Sequence, residues 1–219
     1  MEFSTKKNSK LIVACTGGSG SGYLLRLFYH LCFLPGETHW MVSDNFHTVM
    51  DSEYGFNFSS ISFGAEDVDL IKTLNRVYPI DQNQVQHKFI RYDNRDLAAP
   101  PSSGSVAYDA MLVLPCSMKT LSSIASGISS NLIERAADVS LKERRKLILV
   151  PRETPYSLIH LENMRHLTLA GATIMPASPG FYNRPQSLDD LFDFIVDRLF
   201  MHVGIDIRTI QPWNKLTYD

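Results

Sequence analysis

Six apolar runs of strand length punctuate the chain, at 11–15 (LIVAC), 39–43 (HWMVS), 88–92 (KFIRY), 110–116 (AMLVLPC), 146–152 (KLILVPR) and 172–178 (ATIMPAS). Most are too continuously apolar for strands with one wet face, so they predict strands covered on both faces, as in a parallel sheet. Between them lie segments with helical spacing at 23–31, 45–50, 119–128, 131–145 and 157–171, and a last one at 188–203 follows the final strand. This alternation predicts an α/β fold of three layers, a doubly wound and mostly parallel sheet joined by right-handed crossovers. The last helix has a marked start, because Ser187 and Asp190 have the spacing of a capping box. Leu188, Leu191, Phe192, Ile195 and Leu199 then form one apolar stripe, with Arg198 at its edge. Residues 54–87 are the least legible stretch, and 97–105 (LAAPPSSGS) reads as a loop.

Composition narrows the classes. The chain has 219 residues, 44% of them hydrophobic, which suits one domain with a full core. Lys and Arg number 21 against 23 Asp and Glu, a net charge of -2, so a general affinity for nucleic acid or an anionic membrane is not expected. The apolar runs are strand-sized and the polar N-terminus lacks a signal-peptide core, from which a soluble, cytoplasmic protein is expected. Cys15, Cys32 and Cys116 are widely spaced in apolar segments and read as core residues. The seven histidines form no metal-binding motif, so no metal is expected.

In an open α/β sheet, ligands bind beyond the carboxyl ends of the strands. Here those turns are TGGSGSG after the first strand, Ser43 after the second, SMKT after the fourth, Arg152-Glu153 after the fifth and SPGFYNRPQS after the sixth. Glycines, hydroxyls and cations at one rim suit a phosphorylated ligand. TGGSGSG lacks the GK[ST] of a nucleotide-triphosphate loop, which argues against an NTPase, and it predicts that the helix after it points free N–H groups at an anion. In 131–145, Arg135, Asp138 and Lys142 share a face, and the chain then runs directly into Arg152 and Glu153. A carboxylate beside cations in such a cleft can hold or pass a proton.

GGSG, PCSMKTLSSIASGISSNLIERAADVSLKERR, LVPRETP and PGFYNRPQSLDDL, in this order, resemble the UbiX-type flavin prenyltransferases over nearly the whole chain. The resemblance implies a flavodoxin/Rossmann-like domain over 11–205, after a polar tail at 1–10 and before a C-terminal extension at 206–219 that contacts a neighbouring subunit. It implies a metal-independent transferase that binds reduced FMN and joins to it a dimethylallyl group from dimethylallyl phosphate, at N5 and then C6. The prenylated FMN serves a UbiD-type decarboxylase, and the family assembles as a homo-dodecamer. Carried over by motif, FMN contacts Gly17, Gly18, Ser19, Ser43, Ser117, Met118, Lys119, Thr120 and Arg152. The prenyl phosphate is held by Ser103, Arg135, Lys142, Glu153, Tyr182 and Arg198. The catalytic set is Ser19, Glu53, Lys142, Glu153 and Trp213, the last lining a neighbour's prenyl site. The turn here is GGSG where many relatives have GASG.

The residue chemistry agrees, because loss of phosphate from an allylic carbon calls for cations on the leaving group and π surface around the carbon. This gathers Lys142, Arg152 and Arg198 at one rim of the sheet. Two alternatives share the fold. An FMN-dependent cysteine decarboxylase would carry a PASANT-like turn where this chain has PCSMKT, and a non-catalytic FMN carrier would have no use for Lys142, Glu153, Tyr182 and Arg198 together.

Overall fold

The computed structural model describes residues 8–64, 68–207 and 209–210. Six strands, β1 (Ser9–Cys15), β2 (Gly36–Val42), β3 (His87–Arg91), β4 (Ala110–Cys116), β5 (Lys146–Pro151) and β6 (Thr173–Ile174), form one sheet in the order β3-β2-β1-β4-β5-β6. Every neighbouring pair is parallel, with Ser9 opposite Gly36 and Leu11 opposite Ala110. Seven α-helices are found among the described residues, α1 (Ser21–Cys32), α2 (Asp44–Tyr54), α3 (Val68–Leu74), α4 (Met118–Ala125), α5 (Leu132–Lys142), α6 (Leu158–Ala170) and α7 (Leu188–Val203), with short 3-10 turns at Gln82–Gln84 and Pro100–Ser102.

The continuous apolar runs are explained by two cores, one on each face of the sheet. Leu11, Val13 and Cys15 of β1 point into the core shared with α1, α2, α3 and α7, while Ile12 and Ala14 point into the core shared with α4, α5 and α6. Trp40 and Met41 of β2, and Leu112 and Val113 of β4, divide in the same way. Both faces of the strand period are therefore buried, and alternation vanishes from the sequence.

Most boundaries shift by a few residues, and three features differ more than that. Helix α3 arises in the stretch that showed no clear pattern, burying Leu70, Ile71 and Leu74. β6 is two residues long rather than seven: Met175 and Ala177 still donate to Leu149 and Pro151 of β5, but Pro151 has no N–H to give in return, so the regular ladder ends there. In α7, Ile195 and Leu199 are buried as expected but Leu188 is 69% exposed, and two carboxylates, Asp193 and Asp197, lie on the buried side. The capping box at Ser187 and Asp190 forms, with Asp190 N–H donating to Ser187 and Ser187 N–H to Asp190.

The chain steps outward from β1 to β3 and then returns to β4, so β1 and β4 flank the point where the winding direction reverses. A crevice opens there beyond the strand ends.

Candidate functional site

A cavity of ≈ 420 Å³ occupies that crevice, lined among others by Thr16 and Gly17 after β1, Ser43, Asp44 and Asn45 at the start of α2, and Ser117, Lys119 and Thr120 at the start of α4. Three helix N-termini converge on it, those of α2, α4 and α5. Each is capped by its own residue: Ser43 accepts from Phe46 N–H, Ser117 from Thr120 N–H, and Asn131 from Glu134 N–H. The caps leave the N–H groups of Asp44, Asn45, Met118 and Lys119 without a partner among the described residues, as are those of Gly17 and Ser19 in the turn after β1. Unpaired N–H groups at two helix N-termini facing a glycine turn form a seat for an anion.

Thr16 joins the two halves of this seat. It is buried, its N–H and hydroxyl both donate to the carbonyl of Pro115, and its hydroxyl oxygen accepts from Ser117 N–H at 2.7 Å. Gly17 must be small because a Cβ there would stand 2.8 Å from the Cβ of Asn45, which would push α2 away. Met118 is buried in the core beneath α4 and is not among the residues that line the cavity.

The N-terminus of α1 does something other than predicted. The anion it faces belongs to the chain itself: Glu53 of α2 accepts from Gly20 N–H at 2.8 Å, Ser21 N–H at 2.7 Å and the Ser19 hydroxyl at 2.6 Å. Burial pushes the Glu53 carboxyl up, but these hydrogen bonds outweigh it and hold the group below the usual carboxylate range. Glu53 is ionised and occupies the place an outside anion would take, so ligand phosphate must go to α2 and α4. Arg152, past the end of β5, donates to the carbonyl of Ser19 at 3.3 Å, and Glu153 beside it is exposed, accepting from Thr154 N–H. Ser19, Glu53 and Arg152 thus meet at one edge of the turn.

The expected gathering of Lys142, Arg152 and Arg198 at one rim is not found within a single chain. Helix α5 starts at the cavity and runs about 16 Å away from it, so Lys142 at its last position lies near the amino-terminal ends of the strands, four residues before β5 begins. There it pairs with Glu143 at 2.6 Å beside Gly104, the neighbour of Ser103. Ser103 bonds Ser105 at 2.8 Å, and Arg135 pairs with Asp138 at 2.9 Å on the outer face of α5. Tyr182 packs edge-on against Phe194, and Arg198, one turn further along α7, shares that face and is exposed. Trp213 lies outside the described residues. The site residues therefore fall into three patches: the crevice, the Tyr182–Arg198 face, and the Ser103–Lys142 corner.

Thr16, Asn45, Asn94 and Asn131 line the cavity and were missed. Asn131 ahead of an amphipathic run carries a readable N-cap signal; Asn94, brought in from the loop after β3, carries none.

The Flavoprotein family model matches residues 2–200. The Flavin prenyltransferase UbiX of Pseudomonas aeruginosa is 42% identical over 206 residues, covering 94% of this chain and 94% of that protein. The chain belongs to the UbiX-type flavin prenyltransferase family. Among solved structures, AnUbiX (PadA1) in complex with FMN and dimethylallyl pyrophosphate superposes with a TM-score of 0.77 at 36% identity, covering 96% of this chain and all of that one. The dodecameric FMN-dependent UbiX-like decarboxylase of Escherichia coli O157:H7 gives the same TM-score and identity over 93% of this chain and 98% of its own.

Proposed function

We propose that this protein is a flavin prenyltransferase that transfers a dimethylallyl group from dimethylallyl phosphate to reduced FMN. The observation that carries the reading is one cavity lined by the starts of α2 and α4 and by Gly17, in which the N–H groups of Asp44, Asn45, Lys119 and Gly17 have no partner among the described residues. The set suits a phosphate monoester, with Ser43, Ser117 and Thr120 supplying hydroxyls and Arg152 standing at the ring end. Bound there, reduced flavin supplies the nucleophilic nitrogen and carbon.

The chain's own groups have definable tasks. The Ser19 hydroxyl proton is committed to Glu53, so its oxygen faces the crevice as an acceptor. It can take a proton from bound substrate and pass its own to the Glu53 carboxylate, which is ionised and ready to receive it. Glu153, exposed at the mouth, is assigned proton delivery to the departing phosphate.

The prenyl phosphate subsite is composite. Lys142, Ser103 and Arg135 of one copy would meet Arg152, Glu153, Tyr182 and Arg198 of others in a homo-oligomer, for which the dodecamer is the proposed form. Trp213 is assigned to the prenyl wall. The product would be handed to a UbiD-type decarboxylase. Among the described residues no helix is long and apolar enough to cross a membrane, which fits the proposed cytoplasmic setting.

The test is a mass spectrum of flavin after incubating the protein with reduced FMN and dimethylallyl phosphate or diphosphate. Addition of one C5H8 unit with release of phosphate is expected, and unchanged flavin with both donors would refute the reading. Glu153→Gln should keep FMN affinity and lower turnover by about 100-fold.

A further inference from the structure

Of the three helix N-termini at the cavity, α5 alone is closed. Asn94 closes it from the loop after β3: its carbonyl accepts Leu132 N–H at 2.8 Å and its Oδ1 accepts Ile133 N–H at 3.0 Å. The next N–H, of Glu134, is taken by Asn131 Oδ1 at 3.0 Å. With Oδ1 committed to α5, the orientation of the Asn94 amide is settled by its bonding, and its Nδ2 has no partner among the described residues. Asn94 lines the cavity, so this NH2 is the polar group it presents there.

Charge at the cavity makes such a neutral donor matter. Lys119 is paired with Glu134 at 3.1 Å, and Asp44 on the opposite wall adds a carboxylate. Affinity for a dianion must therefore come chiefly from N–H and O–H donors, each of which counts for more.

We propose that Asn94 is a specificity-determining residue of the flavin site, fixing α5 with its Oδ1 and donating from its Nδ2 to the terminal phosphate, so that phosphorylated flavin is selected over riboflavin. This rests on the FMN reading above. In the same pose Asn131, whose Nδ2 is also unpartnered, is its neighbour on that wall.

Asn94→Asp separates the two roles of the side chain. The substitution is nearly isosteric and keeps an oxygen on Ile133 N–H, so a residue that only caps α5 would tolerate it. It replaces the donor with a charged acceptor facing phosphate. In titrations of flavin fluorescence with the full-length protein, the FMN dissociation constant should rise at least about tenfold while that of riboflavin changes less than about twofold. FMN affinity within twofold of the unsubstituted protein, or equal losses for FMN and riboflavin, overturns the proposal. Should Asn94→Asp not fold, Asn94→Ser is read by the ratio of riboflavin to FMN dissociation constants, which should fall at least about fivefold; an unchanged ratio overturns the proposal. If the unsubstituted protein binds riboflavin as tightly as FMN, the FMN reading itself fails, which the variants alone would not do.

Discussion

His87, at the start of β3, is 2% exposed and held between the Thr38 hydroxyl at 2.8 Å and the Leu34 carbonyl at 3.1 Å. This bonding suits a neutral ring with its proton on Nδ1, and burial lowers its pKa to about 4 despite the help of the Leu34 carbonyl. A group that resists protonation only when folded makes the unfolded state the better proton binder between pH 6.5 and about 4. Stability is thus fully present above that window and is lost as pH falls through it, by on the order of 2–3 kcal/mol for this residue. Burial lowers His39 and His47 in the same direction. Urea midpoints measured from pH 7 to 4.5 should fall, and His87→Gln should flatten the slope. At the same scale the thiols are inert: burial pushes Cys116 up to about 12 and Cys15 well above its ordinary value, which removes both as nucleophiles.

Helices α1 and α7 show how an element can bury charge. Arg26 of α1 grips Asp193 of α7 with two bonds at 2.6 and 2.7 Å, and His30, one turn on, adds a third at 2.7 Å. Burial raises the Asp193 carboxyl, but these partners bring it below its ordinary value. The helices come this close because Gly22 has no side chain; a Cβ there would collide with Phe192 and Tyr54. Removing Asp193 leaves Arg26 only its longer pair with Asp189 at 3.5 Å and strips His30 of its carboxylate, so Asp193→Ala should cost about 3 kcal/mol in urea denaturation. The double change Arg26→Met with Asp193→Leu should recover most of that loss, because neither charge then remains. A capping box at Ser157 and His160 starts α6 firmly, yet of its apolar side chains only Leu167 is buried.

The remainder of α6 belongs to the whole molecule. Leu158 is 73% exposed, Ile159 69%, Leu161 50% and Leu169 73%, four large apolar side chains left to water on one helix. Lys142 and Ser103 stand at the opposite end of the strands from Arg152 and Glu153. Both facts fit a protein whose prenyl phosphate site is finished by other copies. Leu158→Glu combined with Leu169→Glu should yield smaller particles in light scattering, with prenyl transfer reduced by at least about tenfold and FMN affinity changed far less, because the α2 and α4 seat lies within one chain. Full transfer activity from a monomeric variant would contradict the composite subsite.

Local order was legible in the chain alone: the doubly covered strands in LIVAC and AMLVLPC, the Ser187 cap, the buried cysteines, and the turns after the first, second and fourth strands, which line one cavity. These follow from periodicity and short-range capping, which a one-dimensional pattern records. Tertiary structure decided which turns meet and what each open N–H faces. TGGSGSG predicts that α1 points at an anion; that anion is Glu53, from 33 residues beyond Gly20. Asn94 reaches Ile133 across 39 residues of sequence. Lys142, grouped with Arg152 by proximity in the chain, is carried to the other end of the strands by the length of α5, since an eleven-residue helix spans the sheet and separates what sequence places side by side.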